Sequence, residues 1–314
     1  MTARAVSIGI DLDMQSIRAV KIKHSNAGKN DKPIICAIEE MTGTFVKDED
    51  IIAGLKAMKQ RLSVSFSDTI VTCIGGKQTY AAQIPFKKMP DDEMRTALKF
   101  EIRKNIPFDT AGATIEYQFL TQNIKKNEQA PLIVTAVSNI ILQRYLRLFD
   151  KSGLRPDIID VFPLTIANAF NIQSEKIKEC EKNAIMIHIG SEFSTLVIDG
   201  INVPFFNRTI YFSAGELFGA ARSDQLAQRE IDRRVASFSE EIVRSLDFYE
   251  SAYHAKASNV ITVLGNYLVP ELLQKINTDT GLAVKPLDLI KSIDDKRSGI
   301  DGKFDIALAL GMRN

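Results

Sequence analysis

A chain of 314 residues has room for two domains, or for one domain built in two lobes. Its 45% apolar and 25% charged residues are ordinary for a globular protein, and a formal net charge of +1 excludes a large nucleic-acid footprint. No apolar run reaches the ~18 residues that span a bilayer, and the N-terminus enters a strand without the pattern of a signal peptide, so a cytoplasmic protein is expected.

The first predicted elements lie in "SIGIDLDMQSIRAVKIK", residues 7–23. Ile8, Ile10 and Leu12 share one face, and alternation resumes at Ile17, Ala19 and Val20, which makes two strands and a short turn. Asp13 stands in that turn where a phosphate-holding turn ordinarily has glycine, and it reads as a solvated turn residue. A third strand follows over 33–40. Next comes a helix carrying Ile51, Leu55, Met58 and Leu62 behind the acidic start Asp48-Glu49-Asp50, and then the strand "TIVTCIG".

Residues 77–152 have a different grammar. They predict the strand "TYAAQIPF" and a helix with the stripe Met94, Leu98, Ile102 and Ile106, stopped by Pro107. The strands "TIEYQFLT" and "PLIVTAVS" follow. A second helix carries Leu142, Tyr145, Leu146 and Phe149 and ends near Gly153. This is the order of a compact α+β insert.

The chain then returns to a strand, "LRPDIIDV", and a helix, "FPLTIANAF". After these, "AIMIHIGSEFSTLVIDGINVPFFNRTI" repeats the opening pattern, with His188 in the place of Asp11 and Gly190 in the place of Asp13. Such a repeat predicts two lobes of like topology around a shared cleft. A helix at "SFSEEIVRSLDFYESA", the strand "VITVLG", a helix near 269–278, the strand "AVKPL" and a last helix, "FDIALALG", complete the chain. The cysteines Cys36, Cys73 and Cys180 lack metal-ligand spacing and read as reduced thiols. Neither a nucleophile–base motif nor a glycine-rich P-loop is present.

Taken in order, "IGIDLDMQSIRAVKI", "LKFEIRKNIPFD", "IEYQFL", "EEIVRSLDFY" and "LGNYLVPELLQKINTDTGLAVKPLD" resemble landmarks of the PilM family of type IV pilus assembly proteins. These are actin-like proteins similar to FtsA and to the cytoplasmic part of the type II secretion L component. The resemblance implies an α/β, two-lobed actin-like fold, a duplicated ribonuclease H-like fold, with an inserted α+β domain of the SHS2 type. Lobe 1 would comprise 1–76 and 153–172, the insert 77–152, and lobe 2 residues 183–302 with a reduced roof over the base. A C-terminal helix would occupy 303–314. A groove for the cytoplasmic N-terminal peptide of PilN, an inner-membrane protein, is implied as well. The chain would then lie in the cytoplasm, peripheral to the inner membrane.

In such proteins two turns grip the phosphates, each supplying an aspartate and a glycine, and the carboxylates orient a hydrated Mg²⁺. Carried over, the first turn keeps Asp11, a candidate Mg²⁺ ligand, but has Asp13 for glycine. The second keeps Gly190 but has His188 for aspartate. Ser16 and Ser194 could each hydrogen-bond phosphate, and Glu241 and Arg244 could flank an adenine. Gly265-Asn266-Tyr267 stands where relatives commonly have a run of glycines. His188 is either a strand-end histidine satisfied by backbone or, protonated near its reference pKa of ~6.5, a phosphate contact.

The altered motifs imply a scaffold with no resident cofactor and no ATP hydrolysis. A weakened Mg–ATP or ADP site that switches assembly is one alternative. A small-molecule kinase with Asp160 as general base is another. For the PilN-like tail, Met94, Leu98, Ile102, Ile115 and Tyr117 are candidate groove residues, set against the plainer reading of a packed helix and sheet edge. A ring of copies, a homo-oligomer, would add avidity.

Overall fold

A computed structural model describes residues 6–24, 33–106, 108–177, 183–200, 203–218, 228–294 and 302–313. The first lobe opens with β1 (Val6–Asp13), β2 (Ser16–Lys23), β3 (Ile34–Thr42), α1 (Asp48–Arg61) and β4 (Thr69–Ile74). The insert follows as β5 (Thr79–Lys87), α2 (Asp91–Ile102), β6 (Ala113–Phe119) and β7 (Gln129–Ser138). The chain returns through α3 (Asn139–Ser152), β8 (Ile158–Val161) and α4 (Phe162–Ile177). The second lobe holds β9 (Asn183–Ile189), β10 (Ser194–Gly200), β11 (Phe206–Ile210), α5 (Ala214–Phe218), α6 (Gln228–Tyr253) and β12 (Val260–Gly265). It continues with α7 (Pro270–Thr280), β13 (Ala283–Pro286), α8 (Leu289–Ile293) and α9 (Asp305–Gly311). Pro107, Cys180 and residues 219–227 of the roof segment lie outside the described residues.

The two lobes repeat one another in connectivity. The first sheet has the order β3-β2-β1-β4-β8 and the second β11-β10-β9-β12-β13. In each, the first three strands run antiparallel and the last two run parallel to the central one. The hairpin periodicity that suggested a repeat therefore reflects a true duplication of the fold.

Alternation sorts the side chains of β1. Ile8 and Ile10 turn toward α1 and α3, into a core with Leu55, Met58, Leu148 and Phe149. Asp11 and Asp13 share the other face, which looks toward the second lobe. Between the two sheets lies the largest core, where Val20 and Val71 of the first meet Met186, Val197 and Leu264 of the second through α4 and α9. Every residue of α9 is buried, so this short C-terminal helix is part of the joint between the lobes.

The insert is a three-stranded antiparallel sheet, β5-β7-β6, with α2 across one face. Met94, Leu98 and Ile102 are 0% exposed, and Ile115 is 3% exposed. With Leu132 and Val134 they make the insert's own core, which corrects their reading as groove residues. Periodicity identified the apolar face of α2, and β7 already covers it. Tyr117 is half-buried, and its hydroxyl donates to Asp91 across to α2, at 3.0 Å.

Helix α3 also differs from expectation. Its buried line is Leu148, Phe149 and Ser152, while Leu146 is 43% exposed. The helix ends on Gly153, whose φ of 72° suits a left-handed cap. Although it follows the insert directly, α3 packs on the first lobe.

Candidate functional site

Each lobe points the turn of its central hairpin at the other lobe. On β1 and β2 the register pairs Asp11 with Arg18 and Asp13 with Ser16, and β3 brings Glu40 opposite Arg18. A charge ladder results. Arg18 Nε donates to Glu40 at 2.9 Å, Arg18 Nη1 lies 3.9 Å from Asp11, and Lys303, in the turn that leads into α9, pairs with Glu40 from the other side. Burial pushes the Asp11 carboxyl up to about 7, against the pull of Arg18 and with a further push from Asp13.

His188 lies on the facing strand, β9. Burial, aided by the Arg18 charge, pushes its pKa down to about 3, so the imidazole is neutral at physiological pH. Its ring packs edge-on against Phe162 at 4.8 Å, and Nδ1 has no hydrogen-bond partner among the described residues. Neither sequence alternative describes it. Burial keeps the ring neutral rather than cationic, and no backbone group among the described residues satisfies Nδ1.

Asp13 is not a solvated turn residue. Its carboxylate accepts from Ser191 Oγ–H at 2.7 and 2.8 Å, from the Ser191 N–H at 3.5 Å and from the Gln15 N–H at 2.9 Å. Gln15 in turn accepts from the Tyr267 hydroxyl at 2.6 Å. Gly190 and Gly265 are obligatory: a Cβ on Gly190 would stand 2.6 Å from Phe193 O, and Gly265 has a φ of +118° with Ile189 O 2.4 Å from its Cβ position. Asn266 donates its N–H to Ile189 O at 3.2 Å.

Asp11, Asp13, His188 and Gly190 line one cavity of about 350 Å³ with Cys73, Tyr145 and Phe162. The other expected site residues do not join it. Ser16 is buried beside Asp13, its hydroxyl without a partner among the described residues. Ser194 pairs with Ile189, which puts it on the face opposite His188. Glu241 and Arg244 bond each other at 2.7 Å on α6, and Glu241 also meets Arg208 at 3.3 Å. Asp160 is held by Arg313 at 2.8 Å and does not line the cavity. No group of three or more metal-ligating side chains occurs among the described residues.

The sequence matches the family described as type IV pilus assembly protein PilM over residues 9–230. The chain belongs to that family. Among solved structures, a PilM–PilN type IV pilus biogenesis complex matches with a TM-score of 0.81 at 20% identity, over 99% of both chains. A Bacteroides thetaiotaomicron protein with an actin-like ATPase fold and unknown function matches at a TM-score of 0.50 and 13% identity, over 90% of this chain and 91% of that one. The cytoplasmic domain of EpsL, an inner-membrane component of the Vibrio cholerae type II secretion system, follows at 0.48 and 10%, over 95% and 97%. No curated protein matches the sequence. The fold is actin-like, and the duplicated sheets and the insert are its parts.

Sequence reasoning about this PilM-family cleft missed Ser191, Gln15 and the Tyr267 hydroxyl. Nothing local marks them, because the side-chain partner of each lies far along the chain. A Ser–His contact also went unseen. His24 Nε2 lies 2.6 Å from Ser7 Oγ, but Ser7 is fully buried and its hydroxyl donates to the Gly311 carbonyl. That pair anchors the end of α9 rather than a nucleophile.

Proposed function

We propose that the protein is an actin-like scaffold of type IV pilus assembly that binds the cytoplasmic N-terminal tail of a PilN-like inner-membrane protein and holds no nucleotide. The observation that carries the first part is the end-to-end correspondence, insert included, with the PilM–PilN complex structure. No helix of the described residues is long and apolar enough to cross a membrane, so attachment to the inner membrane would come through the partner.

The tail needs a surface with apolar anchors and free backbone groups. Strand β6 is the edge of the insert's sheet, and its outer side pairs with no other strand among the described residues. Beside it, α3 exposes Ile140 at 75% and Leu146 at 43%, and Thr114 of β6 donates to Asn139 of α3 at 2.7 Å. An extended tail adding to β6 and seating apolar side chains on Ile140 and Leu146 fits that junction. Ordering the tail costs affinity, which favours a weak, reversible contact.

For the cleft, the residues do not fit Mg–nucleotide. His188 stands where a carboxylate is needed, Arg18 lies 3.9 Å from the remaining Asp11, and the Ser191 donors already hold Asp13. Tyr267 adds bulk beside them. The test is calorimetry with tail peptides and with Mg–ATP. Tail binding that weakens at least about tenfold in Ile140→Asp, with an unchanged melting temperature, is expected. Equal binding to the variant would remove this surface, and no binding of any such tail would remove the scaffold. Mg–ATP binding that is lost in Asp11→Ala would replace it with a nucleotide-switched protein.

A further inference from the structure

We propose that the two lobes are latched shut by an anion built into the chain: the Asp13 carboxylate, seated on the turn of the second hairpin, clamps the cleft as a bound phosphate would. The inference rests on the reading of the cleft as free of nucleotide, and it adds what holds the lobes together in its place.

The turn at Gly190–Phe193 is prepared to receive an anion. It is tight, since Gly190 has no room for a Cβ, and its back is held because Ser191 O accepts from the Gly215 N–H at 3.1 Å and from Ser213 Oγ–H at 2.9 Å. With its carbonyl fixed on the second lobe, Ser191 presents its N–H and hydroxyl to the first. Asp13 meets them with both oxygens, and the Gln15 N–H orients it from within its own turn. Charge-assisted hydrogen bonds of this kind are about twice as strong as neutral ones.

Further contacts cross the same mouth. Tyr267 of the second lobe donates to Gln15 of the first. Phe193 lies 3.3 Å from the Cβ position of Gly75, and Lys77 Nζ sits 4.3 Å over the Tyr211 ring. Two departures from the family's nucleotide motifs, Asp13 and Tyr267, thus stand as the two polar halves of one fastening. Each of these two residues, out of place in a nucleotide site, supplies a lobe–lobe bond. The cavity of about 350 Å³ that remains lies next to the latch and shares Asp13 and Ser191 with it.

The experiment is hydrogen–deuterium exchange on the full chain with no nucleotide present, comparing wild type with Asp13→Asn and Tyr267→Phe. Asparagine keeps the shape of the carboxylate and removes its charge. If the latch exists, amides of residues 14–16 and 190–193 exchange about tenfold faster or more in Asp13→Asn, while those of α2 in the insert are unchanged. Tyr267→Phe gives a smaller acceleration at the same turns, and it keeps the test alive if Asp13→Asn does not fold. Unchanged exchange at both turns in the variants that fold overturns the latch. Failure of the nucleotide-free reading is a separate result, seen as Mg–ATP binding to the wild type.

Discussion

Gly9 on β1 and Ala307 on α9 are in backbone contact: a Cβ on Gly9 would stand 1.9 Å from the Ala307 carbonyl oxygen and 2.3 Å from the Gly311 nitrogen. The C-terminal helix therefore lies directly on the central strand of the first lobe, and neither backbone can yield without moving the joint between the lobes. Gly9→Ala is expected to destabilise the protein by about 3 kcal/mol or more, through overpacking against backbone. Urea unfolding measures it, and a variant as stable as the wild type would show that α9 is free to shift.

Asp11 and His188 titrate in opposite senses. With its folded pKa raised from 3.8 to about 7, Asp11 keeps a proton that the unfolded chain releases, so its contribution to stability falls as pH rises from about 4 to 7. His188 is held neutral, its pKa lowered from 6.5 to about 3, so its contribution is lost as pH falls from about 6.5 toward 3. The two slopes largely cancel in the wild type. Asp11→Asn should gain stability relative to wild type between pH 5 and pH 8, and His188→Asn should lose it over the same rise, each by about 1–4 kcal/mol. Urea titrations at the two pH values decide this; parallel pH dependence of all three proteins would refute it.

Leu98 is a core residue of the insert. Leu98→Ala should cost about 2–5 kcal/mol, localised to α2 and the β5-β7-β6 sheet. Hydrogen exchange should show the insert loosening while α4 and α9 stay protected. An unaffected insert with weakened tail binding would restore Leu98 to the groove.

Arg313 closes over Asp160, whose pKa burial raises even with that guanidinium beside it. Arg313→Ala leaves the buried carboxyl without its charge partner, although it still accepts from the Val161 N–H at 2.8 Å. Because Arg313 is itself 42% exposed, the expected loss is only about 1–2 kcal/mol. The loss should grow as pH rises, because burial already raises the carboxyl's pKa and removing the guanidinium makes it harder still to ionise. A loss that does not change with pH would mean that the pair contributes packing alone.

Much of the fold was legible. The alternation of β1, β2, β9 and β10 and the stripe of α1 are local signals, and the structure follows them. Two helices show the limit. The stripe of α2 was read correctly as apolar, yet nothing within the helix says whether a partner or β7 covers it. In α3, Ile140, Leu142, Tyr145, Leu146, Leu148 and Phe149 offer more than one apolar line, and contact with the first lobe chose Leu148 and Phe149 over Leu146.

The candidate site divides in the same way. Asp11, Asp13, His188 and Gly190 were found because their turns repeat in the sequence, and all four line one cavity. Their chemistry was not legible. The pKa of His188 depends on Phe162 and Arg18, and the partner of Asp13 lies 178 residues away.

By itself the sequence determined the duplicated hairpins and the insert, because periodicity and turn chemistry act over a few residues and leave a mark at each position; the family came from the resemblance of its landmarks and the match over residues 9–230. Only the tertiary structure decided that Asp13 meets Ser191, that His188 is neutral and that α9 lies on Gly9. Burial and hydrogen-bond partnership are properties of pairs brought together across the chain, and no single segment encodes them.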